Sequence, residues 1–394
     1  MKNYKIGYGI ISRNLTSTKP FIRFLNNAKK YNHKIEKMIF CIKDKVDSRT
    51  VEQLKEYTDI DIIRLDNKIP LQRKFNAIGL PEHDINNLLA TPYLKSFDMV
   101  SYGKARNYVL MEAILQDFDF LLFFDTDVKP EILFKNKKSD GFHPEEIDFV
   151  GSHLNILSEN YNIAVTTSDY SGYYIIPKME FAHVKDLLFG LQKEDAYKIV
   201  IRKNKLVIKY HHNYNVRQTK KILGGNVAID LRHIEFLPPF FSATLVMDNE
   251  CFLGRGEDTL FGPLIAKAGG KCLDIDLLIF HDTFGDFPRK PDIHIEKNIE
   301  RFFYACMGWI IRNPFYNWLH EEYIGDFNKI NVKERYKSLQ IGSKFAARFL
   351  DDDRFLKLPE AFLKSYENLE NVKKEFFELL ESWEKFKKIK KSKE

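Results

Sequence analysis

Residues 118–127 read Phe-Asp-Phe-Leu-Leu-Phe-Phe-Asp-Thr-Asp, an apolar run that ends in two carboxylates one residue apart. A strand that is apolar on both faces must be covered on both sides, which places it inside a parallel sheet. In open α/β sheets, ligands bind beyond the carboxyl ends of the strands. Asp125 and Asp127 are therefore expected at such an edge. Two carboxylates aimed at one spot repel each other unless a proton or a cation offsets the charge. A hard divalent cation that takes oxygen ligands and also binds phosphate meets that demand. The other reading is a buried strand followed by a solvated acidic turn, and the rest of the chain must decide between them.

The flanking pattern alternates strand and helix. Residues 5–11, 38–42 and 60–65 read as strands. Thr18 is placed to cap a helix with Phe21, Phe24, Leu25 and Ala28 on one face. A polar helical stretch follows Lys43-Asp44. Residues 103–116 read as the helix that feeds the strand ending at Asp125. This alternation predicts a parallel sheet with right-handed crossovers. Residues 67–100 carry no readable pattern. Residues 131–222 read as an elaboration beside the site, with a helix near 179–192 and a strand near 206–210. From about residue 295 the chain turns helical, and Val372, Phe376, Leu379, Leu380, Trp383 and Phe386 recur at helical spacing.

Composition narrows the class. The chain has 394 residues, enough for one large domain and an appendage, and 44% hydrophobic with 29% charged residues is ordinary for a globular protein. The net charge of +6 gathers toward the C-terminus, and no basic stripe interleaved with stacking aromatics marks a nucleic-acid partner. Cys41, Cys251, Cys272 and Cys306 show no metal-ligand spacing and read as buried thiols in a reducing compartment. The N-terminus leads straight into a strand without a leader pattern. The apolar stretch 302–318 is broken by Arg312, Asn313 and Pro314, which excludes a membrane span. The expected location is cytoplasmic. Lys385, Lys387, Lys388, Lys390, Lys391 and Lys393 interleave with Phe386 and Ile389. That pattern fits either a solvated terminus or a basic amphipathic helix in peripheral contact with an anionic membrane.

Three further segments add to the Asp-x-Asp pair. Gly224-Gly225-Asn226 precedes a short apolar run, where glycines permit close approach of a backbone or a ligand. Gly254-Arg255-Gly256-Glu257-Asp258 sets adjacent acids before an apolar run. Pro263 cannot donate a helical hydrogen bond, so a helix is expected to begin there with Gly262 as cap and Asp258 on the preceding turn. In residues 277–283, His281 closes an apolar strand and is expected at the same sheet edge as Asp127.

In this order, Asp-x-Asp, Gly-Gly, Gly-Glu-Asp and a strand-end histidine, the chain resembles the GT-A superfamily of nucleotide-sugar glycosyltransferases over about residues 5–285. The downstream order is most similar to the metal-dependent inverting β-1,4-galactosyltransferase family, with Arg255 where that family has glycine and without its preceding tryptophan. Gly103-Lys104-Ala105-Arg106-Asn107 resembles the Ala-Arg-Asn segment of bacterial family-two glycosyltransferases. The resemblance implies a GT-A α/β fold, a Rossmann-like and mostly parallel sheet flanked by helices. The catalytic domain would span 1–294 and a helical C-terminal region 295–394.

It further implies transfer of a sugar from a nucleotide-diphosphate sugar, UDP- or GDP-linked, to a hydroxyl of a carbohydrate or other acceptor. Asp127 and His281, with Asp125, would hold Mn²⁺ or Mg²⁺ as the Lewis acid for the leaving diphosphate. Asp125 would also face the ribose and donor sugar. Ser12, Arg13, Asp44, Gly225 and Asn226 would contact the donor, and Lys104 or Arg106 would add positive charge at its phosphates. Asp258 would be the general base of an inverting transfer, with Glu257 orienting the acceptor. Residues 283–290 would form a lid. A retaining GT-A enzyme is the alternative. A sugar-nucleotidyltransferase is the more distant one, because Ser12-Arg13-Asn14-Leu15-Thr16 lacks the glycine-rich loop of that class.

Overall fold

The computed structural model describes residues 3–89, 102–138, 141–159, 162–197, 206–325 and 330–392. Its first strands are β1 (Ile6–Ser12), β2 (Lys37–Ile42), β3 (Asp59–Arg64), β4 (Phe120–Phe124) and β5 (Val128–Lys135). They are followed by β6 (Phe142–Glu146), β7 (Ile163–Thr167), β8 (Tyr170–Tyr173), β9 (Leu206–Val207) and β10 (Arg217–Gln218). The last are β11 (Asn226–Asp230), β12 (Thr244–Met247), β13 (Glu250–Leu253), β14 (Lys271–Asp274) and β15 (Ile279–His281).

Eight strands form one sheet in the order β10-β14-β7-β11-β4-β1-β2-β3. The neighbours β3, β2, β1 and β4 are parallel, as are β7 and β14, while β11 runs antiparallel between β4 and β7. The sheet is thus mostly parallel, as expected. Both its faces are covered. Phe120, Leu122 and Phe124 point into a core shared with Phe21, Phe24, Phe149 and Val150. Leu121 and Phe123 point into a second core shared with Tyr108, Val109 and the C-terminal helices. Two dry faces explain why the β4 sequence is apolar without alternation.

The expected elements fall close to their places, with helices at Lys19–Lys30, Ser48–Lys55 and Tyr102–Leu115. Thr18 stands at the first N-cap but makes no side-chain cap bond, and Pro20 supplies the pre-set first turn instead. The region 67–100, unreadable in sequence, holds helices Ile69–Ala77 and Glu82–Leu89, and its residues 90–100 lie outside the described residues. The helix expected over 179–192 is only Val184–Gly190, and the strand expected at 206–210 is only Leu206–Val207. Much of 131–222 builds a second sheet, ordered β6-β5-β15-β8-β9, and β12 pairs with β13 in a separate hairpin.

The C-terminal region holds helices Glu296–Trp318, Val332–Leu350, Leu358–Glu367 and Leu369–Lys391. It shares its core with the large sheet: one apolar cluster runs from Cys41 and Phe123 through Phe240 and Phe315 to Phe376 and Trp383. The Trp383 indole donates to the Leu237 carbonyl at 2.8 Å. Lys385 pairs with Asp84 at 3.1 Å, Lys391 pairs with Glu235 at 2.7 Å, and Lys390 pairs with Asp117. The peripheral membrane contact is therefore not supported. Phe386 is buried and Ile389 packs on the same core, so the apolar face that a membrane would take is already covered. Among the described residues, no helix is long and apolar enough to cross a membrane. All four cysteines are free and buried, as expected.

Candidate active site at the carboxyl end of the large sheet

Strand β4 delivers Asp125 and Asp127 to the carboxyl edge of the sheet, and β1 and β2 end beside it. Antiparallel β11 starts at that same edge, because Asn226 pairs with Phe124. The register brings Gly225 against Asp125, where an added Cβ would overlap Asp125 Oδ2 and lie 2.7 Å from the Tyr170 hydroxyl. A Cβ on Gly224 would overlap the Arg106 guanidinium. The glycine pair is therefore required by close packing against Asp125, Tyr170 and Arg106.

His281 reaches Asp127, with Nε2 3.1 Å from Oδ2. It does so by a route different from the one expected. β15 belongs to the second sheet and runs antiparallel to β5, the strand that begins just after Asp127, so that His281 pairs with Val128. The Asp282 N–H donates to the Asp127 carbonyl at 2.9 Å and fixes the register. The Thr283 hydroxyl lies 3.0 Å from His281 Nδ1, and the Tyr170 ring packs against the imidazole at 4.6 Å. Burial pushes the Asp127 carboxyl up, but the bond to His281 and its charge outweigh that and hold it below its ordinary value.

Asp125 faces Arg106, with 3.8 Å between the charged atoms. The side chain is 42% exposed, yet the protein crowded around it raises its carboxyl above the ordinary value, with Arg106 opposing and Asp127 adding to the rise. Arg106 donates to Glu257 Oε1 at 2.9 Å and to the Gly224 carbonyl at 2.9 Å, and its guanidinium lies 5.2 Å from the Phe123 ring. Burial raises the Glu257 carboxyl, Asp258 raises it further, and Arg106 opposes both.

Glu257 and Asp258 open the helix Glu257–Lys267, whose N-cap Gly256 has φ +91°. This start lies six residues earlier than expected. Pro263 is carried inside the helix, and Gly262 serves close packing rather than capping, since a Cβ there would overlap the Lys220 carbonyl. Asp258 Oδ2 accepts from the Gly224 N–H at 2.8 Å and Oδ1 from the Thr259 N–H at 2.8 Å. The two glycine motifs are thus tied together through Asp258.

The remaining expected residues are placed as follows. Ser12 and Arg13 lie at the end of β1, where Ser12 donates to the Asn14 carbonyl at 2.7 Å and the exposed Arg13 pairs with Asp44. Lys104 turns away from the carboxylates, and its ammonium donates to the Asn87 carbonyl at 2.6 Å. Burial brings it down to about 7. Asn226 is buried, 3.3 Å from His153 Nε2 through Oδ1 and donating through Nδ2 to the Ser168 carbonyl at 3.2 Å. Its side chain, fully buried, is turned to these partners and not to a donor. In the 283–290 segment, Phe287 packs on Phe280 at 4.7 Å and the Pro288 carbonyl accepts from Tyr173 at 3.1 Å.

Four residues at the site had no motif to announce them. Tyr170 accepts from the Gly225 N–H at 3.1 Å. Arg301 donates to the Thr283 carbonyl at 2.6 Å and its charge acts on Asp127. Arg312 stands beside Gly256, the residue that caps the Asp258 helix, and Lys193 lies over the Trp309 ring one turn earlier on the Arg312 helix. All four come from segments that are remote in sequence and unremarkable in composition.

The donor set suits a divalent cation. A carboxylate and an imidazole fit Mn²⁺ as well as Mg²⁺, and such ions often take few protein ligands when substrate phosphates supply the rest. The Thr283 hydroxyl lies 3.0 Å from Nδ1 and 3.3 Å from Nε2 of His281 and so packs over the imidazole. The expected third ligand, Asp125, is turned to Arg106, and no group of three or more ligand side chains gathers among the described residues.

No protein-family model matches the chain, and no curated protein matches it. Solved structures do. Glucosyl-3-phosphoglycerate synthase from Mycobacterium tuberculosis, in complex with Mn²⁺ and uridine-diphosphate-glucose, is similar at 11% identity and a TM-score of 0.37, over 81% of this chain and 78% of that one. The same synthase with Mn²⁺, uridine-diphosphate and phosphoglyceric acid aligns at 12% identity and a TM-score of 0.35, over 77% and 78%. A mycobacterial protein aligns at 10% identity and a TM-score of 0.36, over 79% and 75%.

Proposed function

We propose that this chain is a metal-dependent glycosyltransferase that moves a sugar from a nucleotide-diphosphate sugar to a hydroxyl acceptor with inversion. The observation that supports this most is the meeting of Asp127, His281, Asp125 and Arg106 at one strand edge, with Asp258 tied to the Gly224 backbone beside them. Asp127 and His281 are the residues that would hold Mn²⁺ or Mg²⁺, which supplies Lewis-acid stabilisation of the leaving diphosphate when bound. Arg106, fixed by Glu257 and Gly224, keeps a buried positive charge beside Asp125 without reorganisation during the reaction. Gly224 and Gly225 let Arg106 and Asp125 close up against the start of β11, and Arg13 with Asp44 stands where β1 and β2 end, in reach of a nucleoside.

Asp258 is the general base in this reading. Oδ1 accepts from the Thr259 N–H and hydroxyl, while Oδ2 accepts only the Gly224 N–H and retains a lone pair, so the carboxylate is oriented and still able to take the proton of an acceptor hydroxyl. A retaining transfer would leave Asp258 as an organiser of the Gly224 turn only. The test is incubation with UDP- and GDP-sugars and Mn²⁺, following the released product. Nucleoside diphosphate is expected. Release of pyrophosphate would mean a nucleotidyltransferase, and no turnover or binding with any donor would remove the reading.

A further inference from the structure

Beside Asp258 lies a second cluster of charge that the donor chemistry does not use. Arg312, on the helix Glu296–Trp318, is 6% exposed. Its Nη2 donates to Asn313 Oδ1 at 2.9 Å, and its Nε is buried with no partner. A guanidinium has five N–H donors, and no carboxylate pairs with this one among the described residues. Lys193, half-buried, holds its ammonium 4.7 Å from the centre of the Trp309 ring, one helical turn before Arg312, and makes no ion pair among the described residues. An unpaired buried charge is costly unless something compensates it.

No ion pair joins Asp258 to either cation among the described residues, and its oxygens accept instead from the Gly224 and Thr259 N–H groups. The Arg312 guanidinium lies 5.1 Å from the Tyr316 ring, and the charges that act on it are Tyr316 and then Asp258, while Arg312, Asp258, Asp195 and Lys221 act on Lys193. The cluster sits on the helix Glu296–Trp318, which meets the turn before Asp258 where the Arg255 N–H donates to the Gly308 carbonyl at 3.0 Å. Arg312 Nη1 also comes to 2.8 Å from where a Cβ on Gly256 would stand, so this turn needs glycine to admit the guanidinium next to the two acids.

We infer that Lys193 and Arg312 form an anion subsite, and that the acceptor is a hydroxyl compound carrying a phosphate monoester or a carboxylate. The role as acceptor subsite rests on the glycosyl-transfer reading; the anion site itself does not. The anion would seat between the two cations and bring the acceptor hydroxyl to Asp258. Burial and Arg312 together press the Lys193 ammonium down to about 7, against the pull of Asp258 and Asp195, so a bound anion would also favour its protonated form.

The test uses the full chain and two probes, inorganic phosphate and acetate, titrated calorimetrically into wild type, Lys193→Gln, Lys193→Arg and Arg312→Lys, with UDP–Mn²⁺ affinity measured in parallel. Expected is saturable binding of at least one probe, weakened roughly tenfold or more by Lys193→Gln and largely restored by Lys193→Arg, with UDP affinity unchanged. The tighter probe names the anion. Because Arg312 is buried, its variant counts only if its melting transition stays cooperative, and Lys193→Gln decides the matter without it. Absence of binding by both probes, or equal binding by wild type and Lys193→Gln, would overturn the inference. So would competition between phosphate and UDP with both weakened by Lys193→Gln, since the cations would then serve the donor. If UDP fails to bind while phosphate binds through Lys193, the donor reading falls and the anion site stands.

Discussion

Arg106→Met is the perturbation with the most calculable outcome. Methionine keeps much of the side-chain bulk between Phe123 and Phe240 but removes the charge that faces Glu257. Arg106 and Glu257 are 7% and 8% exposed and 2.9 Å apart. Removing one partner of such a buried pair costs about 3–5 kcal/mol, because the other charge stays buried and uncompensated. Glu257 can escape that penalty by taking a proton. Protonating a glutamate of reference pKa about 4.3 costs about 3.7 kcal/mol at pH 7 and about 1 kcal/mol at pH 5. That cost caps the loss. The Gly224 carbonyl, deprived of its donor, adds about 1 kcal/mol at either pH. The expected destabilisation is therefore about 4–5 kcal/mol at pH 7 and about 2 kcal/mol at pH 5.

The direction follows from the Glu257 carboxyl, which burial and then Asp258 already raise in the native protein. A raised carboxyl binds protons in the folded state that the unfolded state has released. Its contribution to stability is thus greatest at low pH and falls as pH rises from the unfolded pKa through the folded one. Removing Arg106 raises the folded pKa further and widens that window. Chemical denaturation of wild type, Arg106→Met, Glu257→Gln and the double variant at both pH values measures it, and the double variant should recover part of the pH 7 loss. A loss under about 1 kcal/mol at pH 7, or the same loss at both pH values, would refute the reasoning.

Three further outcomes are expected. EDTA should abolish turnover, and Asp127→Ala should remove metal-dependent nucleotide affinity; full activity in EDTA would exclude the cation. Gly225→Ala pushes a methyl group into Asp125 and toward the Tyr170 hydroxyl, so it should cost about 1–3 kcal/mol of stability and weaken nucleotide binding. Unchanged melting and affinity would take Gly225 out of the donor wall. Asp258→Asn should lower turnover roughly 10²–10⁴-fold while donor binding persists, and NMR of the product from an α-linked donor should show a β-glycoside. An α-glycoside would mean retention and would end the base assignment.

What the sequence determined by itself is what short-range pattern can encode. The unbroken apolar run of β4 required a covered sheet and put Asp125 and Asp127 at its edge. Residues 103–116 and the periodic C-terminal segment read as helices that the structure contains. The same spacing held one unused clue. Lys104 and Arg106 stand two residues apart on a helix and so face different ways, and only one of them could serve the site. Tertiary structure decided which, by setting the Phe123–Phe240 side and Glu257 around Arg106. It also decided that His281 arrives through the second sheet, that the basic tail docks on the chain's own core, and that Arg301 reaches Thr283 and Arg312 reaches Gly256. Each of these depends on pairing between residues far apart in the chain. Such pairing is selected by register, burial and charge compensation across the whole fold, and no local window of sequence carries it.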